Sequence, residues 1–178
     1  MLIESFKSLA TAGSNVSLII VPRYPTDAGR IQGVLGKNGL NSIRKTEIDA
    51  VKRPAVEPNE VLVVDTIGEL RAFYGIADIA FVGGSLFYRG SNKGGHNLIE
   101  PAVFGIPILF GPHYFSFADT VGDLLEANAG IEVANAAELR GALETLVTDR
   151  QKRLEMGQRA KEVIPVSYTH LRAHETLR

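Results

Sequence analysis

The chain has 178 residues, 45% of them hydrophobic and 22% charged, the balance of an ordinary globular protein. A net charge of −1 gives no general attraction to nucleic acid or to an anionic membrane, so any anion site has to be local. The absence of cysteine excludes disulfides and thiolate metal centres and fits a reducing compartment.

The first residues, MLIESFKSLATAGSN, carry Glu4 and lack a basic start followed by an apolar run, so they do not read as a signal peptide. They predict a helix over Leu2–Thr11. Short apolar runs then alternate with helical patterns. Strands are expected at Val16–Val21, Ser42–Thr46, Val61–Val64, Ile79–Val82, Pro107–Phe110 and Ile131–Val133. Helices are expected at Ala28–Lys37, Gly68–Ala77, Asn97–Phe104, Ala118–Ala127, Ala136–Thr148 and Gln151–Val163. Ile48–Asn59, with two prolines and mixed charges, reads as a surface loop. No apolar run approaches the roughly 20 residues that span a bilayer.

Several strands (SLIIV, VLVV, IAFV, PILF) are nearly all apolar rather than alternating. That pattern belongs to a parallel sheet covered by helices on both faces, and strand–helix alternation points the same way. The expectation is an α/β, Rossmann-like, doubly wound sheet of about six strands within residues 1–165. In such sheets ligands bind beyond the carboxyl ends of the strands, where strand order reverses. With the order 3-2-1-4-5-6, strand 1 (ending Val21-Pro22-Arg23) and strand 4 (ending Gly83-Gly84-Ser85) face one crevice.

The segment Phe81–Pro112, FVGGSLFYRGSNKGGHNLIEPAVFGIPILFGP, carries the chemistry. Gly83, Gly84, Gly90, Gly94 and Gly95 lie between a buried strand and a helix, an arrangement that lets backbone N–H groups approach an anion. Arg23 can grip a phosphate through two parallel hydrogen bonds, or pair with Asp27, or stay solvated. Asn97 and Glu100 form N-x-x-E at a helix start. Either they cap the helix, or Glu100 accepts from the vicinal hydroxyls of a sugar, and the two roles are compatible. His96 can donate to a phosphate or remain a polar loop residue; His113 has a weaker claim of the same kind. Asp65 or Thr66 is expected to cap the helix after strand 3, with Glu69 suited to its dipole. Arg89 and Lys93 can add positive charge or simply be solvated. His170 and His174, at i and i+4 beside Glu175, suit a metal on a helix, but no third ligand converges; no metal and no cofactor are expected.

The blocks VPRYP (21–25), VVDTIGELRAFYGIADIAFVGGS (63–85) and GGHNLIEPAVFGIPILFGPHYFSFAD (94–119) resemble the 3-deoxy-D-manno-octulosonic acid (Kdo) transferases of lipopolysaccharide synthesis, which have the GT-B glycosyltransferase fold. The resemblance implies the C-terminal, donor-binding half of that fold, with CMP-Kdo as donor and a lipid A precursor as acceptor. It implies that Arg23 and the loop Gly94, Gly95, His96, Asn97 serve the phosphate, with Ser85 against the same pocket and Glu100 on the ribose. The catalytic carboxylate, the acceptor surface and the membrane anchor fall to the other half, so this half alone is expected to be inactive. The full enzyme is expected at the cytoplasmic face of the bacterial inner membrane, and this fragment as soluble and cytoplasmic.

Three features depart from the family pattern: the missing half, PRYPTD where PRHPER is usual, and extra residues SNK in the glycine loop. The tail, 166–178, resembles translated adapter sequence and is expected to be non-native. Outside this family the readings are a GT-B enzyme using a UDP-sugar, a nucleotide-sugar epimerase domain, or a non-catalytic nucleotide-binding module.

Overall fold

The computed structural model describes residues 1–13, 15–52, 56, 60–88 and 95–164. The chain divides into two compact units, Met1–Arg71 and Ala72–Arg178. The described residues form two three-stranded sheets, and every pairing in them is parallel. The α/β class and the six strands are as expected; hydrogen bonding groups the strands in threes.

In the first unit the elements are α1 (Leu2–Thr11), β1 (Leu18–Ile20), α2 (Ala28–Lys37), β2 (Asn41–Arg44), α3 (Lys45–Val51) and β3 (Glu60–Val63). The sheet order is β1-β3-β2, not the 3-2-1 that the sequence suggested. Composition explains the exchange. Val61 and Val63 of β3 are fully buried, as a central strand covered on both faces requires. β2, NSIR, has no buried residue and takes an edge. Phe6, Ala28, Leu35, Val61 and Val63 make the core of this unit.

Ile48–Asn59 is not all loop, because α3 runs to Val51. Asp65, just beyond β3, accepts the Thr46 N–H at 3.0 Å and the Thr46 hydroxyl at 2.6 Å. It thereby satisfies an orphan donor at the start of α3. Glu47 accepts the Arg44 N–H at 2.8 Å. Asp65 therefore caps the helix that precedes it in sequence, not the one that follows. Thr66 instead donates its hydroxyl to the Glu69 carboxylate. Burial disfavours the ionised Asp65, but the two Thr46 bonds, its own N–H and Arg44 nearby outweigh this and hold its carboxyl below the usual 3.8.

α4 (Leu70–Tyr74) crosses into the second unit, which continues β4 (Ala80–Val82), α5 (Ile99–Val103), β5 (Ile108–Phe110), α6 (Ala118–Glu126), β6 (Gly130–Glu132), α7 (Ala136–Thr148) and α8 (Arg150–Val163). The order β4-β5-β6 is the expected one, with Val82 opposite Phe110 and Phe110 opposite Glu132. Each neighbouring pair is joined by a helical crossover, as parallel pairing demands. Val82, Leu98, Ile108, Phe110, Val121, Leu124 and Ala160 build the core. Burying each large aliphatic or aromatic side chain contributes about 1.5–3 kcal/mol.

α7 starts on a closed cap. Asn135 Oδ1 accepts the Ala137 and Glu138 N–H groups, both at 3.0 Å, while its amide donates to Glu138 Oε1 at 2.6 Å. The Ala134 N–H donates to Glu138 Oε2 at 2.8 Å. Among the described residues no helix is long and apolar enough to cross a membrane.

α8 approaches the turn after α5 at a pair of glycines. A Cβ on Gly157 would stand 2.0 Å from the Gly105 carbonyl oxygen, whereas a Cβ on Gly141 in α7 meets nothing within 4 Å. Gly157→Ala is therefore expected to destabilise the protein by about 1–3 kcal/mol through forced backbone movement. Gly141→Ala should stabilise it by roughly 0.4–1 kcal/mol. Denaturant midpoints measure both, and equal effects would contradict the packing.

A second expectation concerns acid. The folded value of Asp65 lies below its unfolded one, so its stabilisation is complete above about pH 3.8 and fades as pH falls through the lower folded value. Asp65→Asn should lower stability at neutral pH and flatten its decline below pH 4. A parallel pair of stability–pH curves for the two proteins would refute this.

Candidate functional site

The glycine turn after β4 is fastened to the end of β5. Ser85 Oγ accepts the Gly111 N–H at 2.8 Å and donates to the Val82 carbonyl at 3.3 Å. The His113 N–H donates to the Ser85 carbonyl at 2.9 Å. Ser85 is 1% exposed, so its hydroxyl is committed inside the protein. A Cβ on Gly111 would lie 2.5 Å from the Ser85 carbonyl oxygen; only glycine admits this approach.

The other side of the loop closes on the same turn. The Gly95 N–H donates to the Gly84 carbonyl at 3.0 Å. A Cβ on Gly84 would lie 3.0 Å from the His96 ring, so the imidazole rests on the bare face of that glycine. Gly95 in turn sits against Tyr114, whose Cα would lie 3.3 Å from an added Cβ. Ser85, Gly95 and His96 are thus brought together, with Asn97 next in the chain. Gly94, Arg89 and Lys93 lie outside the described residues, as do His170, His174 and Glu175. Among the described residues no group of three or more His, Asp or Glu could hold a metal.

α5 begins at Ile99 rather than Asn97 and has five residues. So short a helix has a small dipole, and the expected anion site has to rest on the loop more than on the helix. Asn97 Oδ1 accepts the Ile99 N–H at 3.0 Å, and the Asn97 amide donates to Glu100 Oε1 at 2.8 Å. Asn97 stands one residue before the N-cap, Leu98, and satisfies one helical N–H, that of Ile99. Glu100 does not reach back to a backbone N–H, as the simple capping box would have it, but is held by the asparagine side chain.

Tyr74 is a neighbour of Glu100 that sequence reading missed. Burial, and after it the Glu100 charge, push its phenol up to about 12, so it stays neutral at ordinary pH. Its ring packs 6.1 Å from Phe104. No local pattern in RAFYGIAD marks this residue. His113 stacks edge-on with the exposed Tyr88 at 5.7 Å, and Tyr88 with Phe115 at 6.0 Å. Tyr114 packs edge-on against Phe110 at 5.9 Å. Burial first, and then the Glu132 carboxylate that it faces, raise the Tyr114 phenol.

Arg23 belongs to the first unit, just past β1. It is exposed, and its guanidinium lies 5.7 Å from the centre of the Tyr24 ring. Asp27 is taken by Arg30 at 3.1 Å, so the pairing of Arg23 with Asp27 does not form. Among the described residues Arg23 makes no ion pair.

No protein-family model matches the chain. Over 165 residues it is 33% identical to a 3-deoxy-D-manno-octulosonic acid transferase of Haemophilus influenzae, a match of 92% of this chain and 37% of that protein. It is 31% identical over 150 residues to a bifunctional glycosyltransferase/methyltransferase of Fusobacterium nucleatum, covering 84% of this chain and 22% of the other. Among solved structures, the C-terminal CMP-Kdo binding domain of WaaA from Acinetobacter baumannii aligns with a TM-score of 0.78, over 90% of this chain and 80% of that domain. At 24% identity this likeness establishes the fold. The chain spans well under half the length of the transferases that it matches. It is a relative of the 3-deoxy-D-manno-octulosonic acid transferases, homologous to them over most of its own length and less than half of theirs.

Proposed function

We propose that this chain is the donor-nucleotide-binding part of a Kdo transferase. It holds the CMP portion of CMP-Kdo while Kdo passes to a lipid A precursor at the cytoplasmic face of the inner membrane. The observation that carries the reading is the closed glycine turn, Gly84 on Gly95 and His96, set beside a clamped Glu100 in a chain homologous to these transferases.

The chemistry divides by charge. A loop shaped by glycines suits a phosphate, and Gly94, Gly95 and His96 are assigned to it. Arg23 is assigned as the cation that steadies the phosphate of departing CMP, on the strength of its VPRYP motif. Glu100, an anion with acceptor oxygens only, suits hydroxyl donors and repels phosphate, so it is assigned to the ribose. Ser85 serves from behind: its hydroxyl is spent on Gly111, and it acts by fixing the turn. This half supplies no catalytic base in the proposal, and the acceptor belongs to the remainder of the enzyme.

A UDP-sugar enzyme, an epimerase domain and a non-catalytic nucleotide module are less favoured by these relatives. Titration calorimetry with CMP, UMP and AMP separates all of them, CMP preference being expected. Arg23→Ala should weaken CMP by one to two decades, the loss of a charge-assisted contact of about 1.5–3 kcal/mol. Glu100→Gln should weaken CMP and leave inorganic phosphate binding unchanged. Unaltered CMP affinity in both variants would overturn the assignment.

A further inference from the structure

Two helices of this chain open on the same four-residue pattern. Asn97-Leu98-Ile99-Glu100 starts α5 and Asn135-Ala136-Ala137-Glu138 starts α7. In both, the asparagine Oδ1 accepts the N–H two residues on, at 3.0 Å, and its amide donates to the glutamate Oε1. The second carboxylate oxygen distinguishes them. Glu138 Oε2 accepts the Ala134 N–H at 2.8 Å, so that box is complete. Among the described residues, Glu100 Oε2 accepts no hydrogen bond.

We infer that Asn97 is a positioning residue: it clamps Glu100 through Oε1 so that Oε2 is presented to the vicinal hydroxyls of the nucleotide ribose. The inference rests on the reading of Glu100 as the ribose acceptor. The cap fixes the geometry. Because Oδ1 is held by the Ile99 N–H, the amide nitrogen has to face Glu100, and the asparagine cannot flip. A free glutamate side chain loses rotamer entropy when it grips a ligand. A glutamate already held at one oxygen has lost much of it, and its other oxygen keeps two lone pairs for two hydroxyls. At α7 the same pair has no such oxygen to offer, which makes it an internal control.

Asn97→Asp separates the two jobs of the residue. Aspartate caps a helix as well as asparagine does, but it replaces the amide donor with an oxygen that repels Glu100. Asn97→Ser also keeps a capping acceptor and adds no charge. The experiment titrates the full chain with CMP and with 2′-deoxy-CMP and records thermal melting for each variant. The wild-type protein is expected to prefer CMP by about tenfold, the worth of a hydrogen bond to a charged group. In Asn97→Asp and Asn97→Ser that preference should collapse toward unity, with the melting temperature held. Asn135→Asp should leave the preference intact. A wild-type preference that survives both Asn97 variants overturns the inference while the Glu100 reading stands. Equal loss of both nucleotides together with a lowered melting temperature reduces Asn97 to a structural cap and also overturns it. A wild-type protein that does not distinguish the two nucleotides overturns the Glu100 reading, and this inference with it.

Discussion

The candidate site of the second unit depends on the contact between Ser85 and Gly111. Two parallel strands end side by side, and the chain leaving each must turn away without clashing. Here the turns are joined instead. One hydroxyl accepts the Gly111 N–H, one carbonyl accepts the His113 N–H, and the missing Cβ of Gly111 lets the backbones meet. A buried N–H left without a partner would cost about 1–3 kcal/mol, so the contact fixes the turn firmly. With Ser85 held, Gly84 is held, and Gly84 receives both the Gly95 N–H and the His96 ring. Gly84, Gly95 and His96 are thus ordered by a buried serine whose hydroxyl is bonded to Gly111.

The elements were legible where the causes are local. Leu2–Thr11, Ala28–Lys37 and Ala136–Thr148 are amphipathic helices with ends marked by composition, and the structure places their bounds where the sequence does. The apolar strands were equally plain, since a run such as VLVV has no solvent face to offer. What escaped was decided at a distance. α3 is capped in part from outside its own segment, by Asp65 just past the neighbouring strand β3. β3 takes the centre of its sheet because three apolar residues compete for burial against a partly polar edge. Neither is visible in a window of ten residues. Tyr74 beside Glu100 is a tertiary neighbour of the same kind, which no spacing in the sequence marks.

Within the site, sequence separates the residue types better than their duties. The motif G-G-H-N-x-x-E reads as phosphate loop plus acceptor; the fold bonds Gly95 to Gly84, lays the His96 ring on Gly84 and joins Asn97 to Glu100. Ser85 in F-V-G-G-S reads the same way from the sequence, yet its hydroxyl faces inward at 1% exposure. The difference lies in the turn: the chain leaves β4 through Gly83 and Gly84, the latter at φ +82°, and Ser85 then bonds inward to Val82 and Gly111.

The paired N-x-x-E motifs carry this to its limit, because there identical residues at identical spacing end in different states. The cause is the path by which the chain enters each helix. At α7 the asparagine is fully extended, φ −149° and ψ 175°, which swings the preceding Ala134 N–H back onto the glutamate and closes the box. At α5 the chain is already helical at Leu98, φ −87° and ψ −16°, and Leu98 is buried at 2% exposure. Upstream, His96 lies against Gly84 and Gly95 is bonded to it. Among the described residues the second oxygen of Glu100 accepts no hydrogen bond, whereas that of Glu138 is filled by the Ala134 N–H, so the same pair of side chains is left in two different states by the two entry paths.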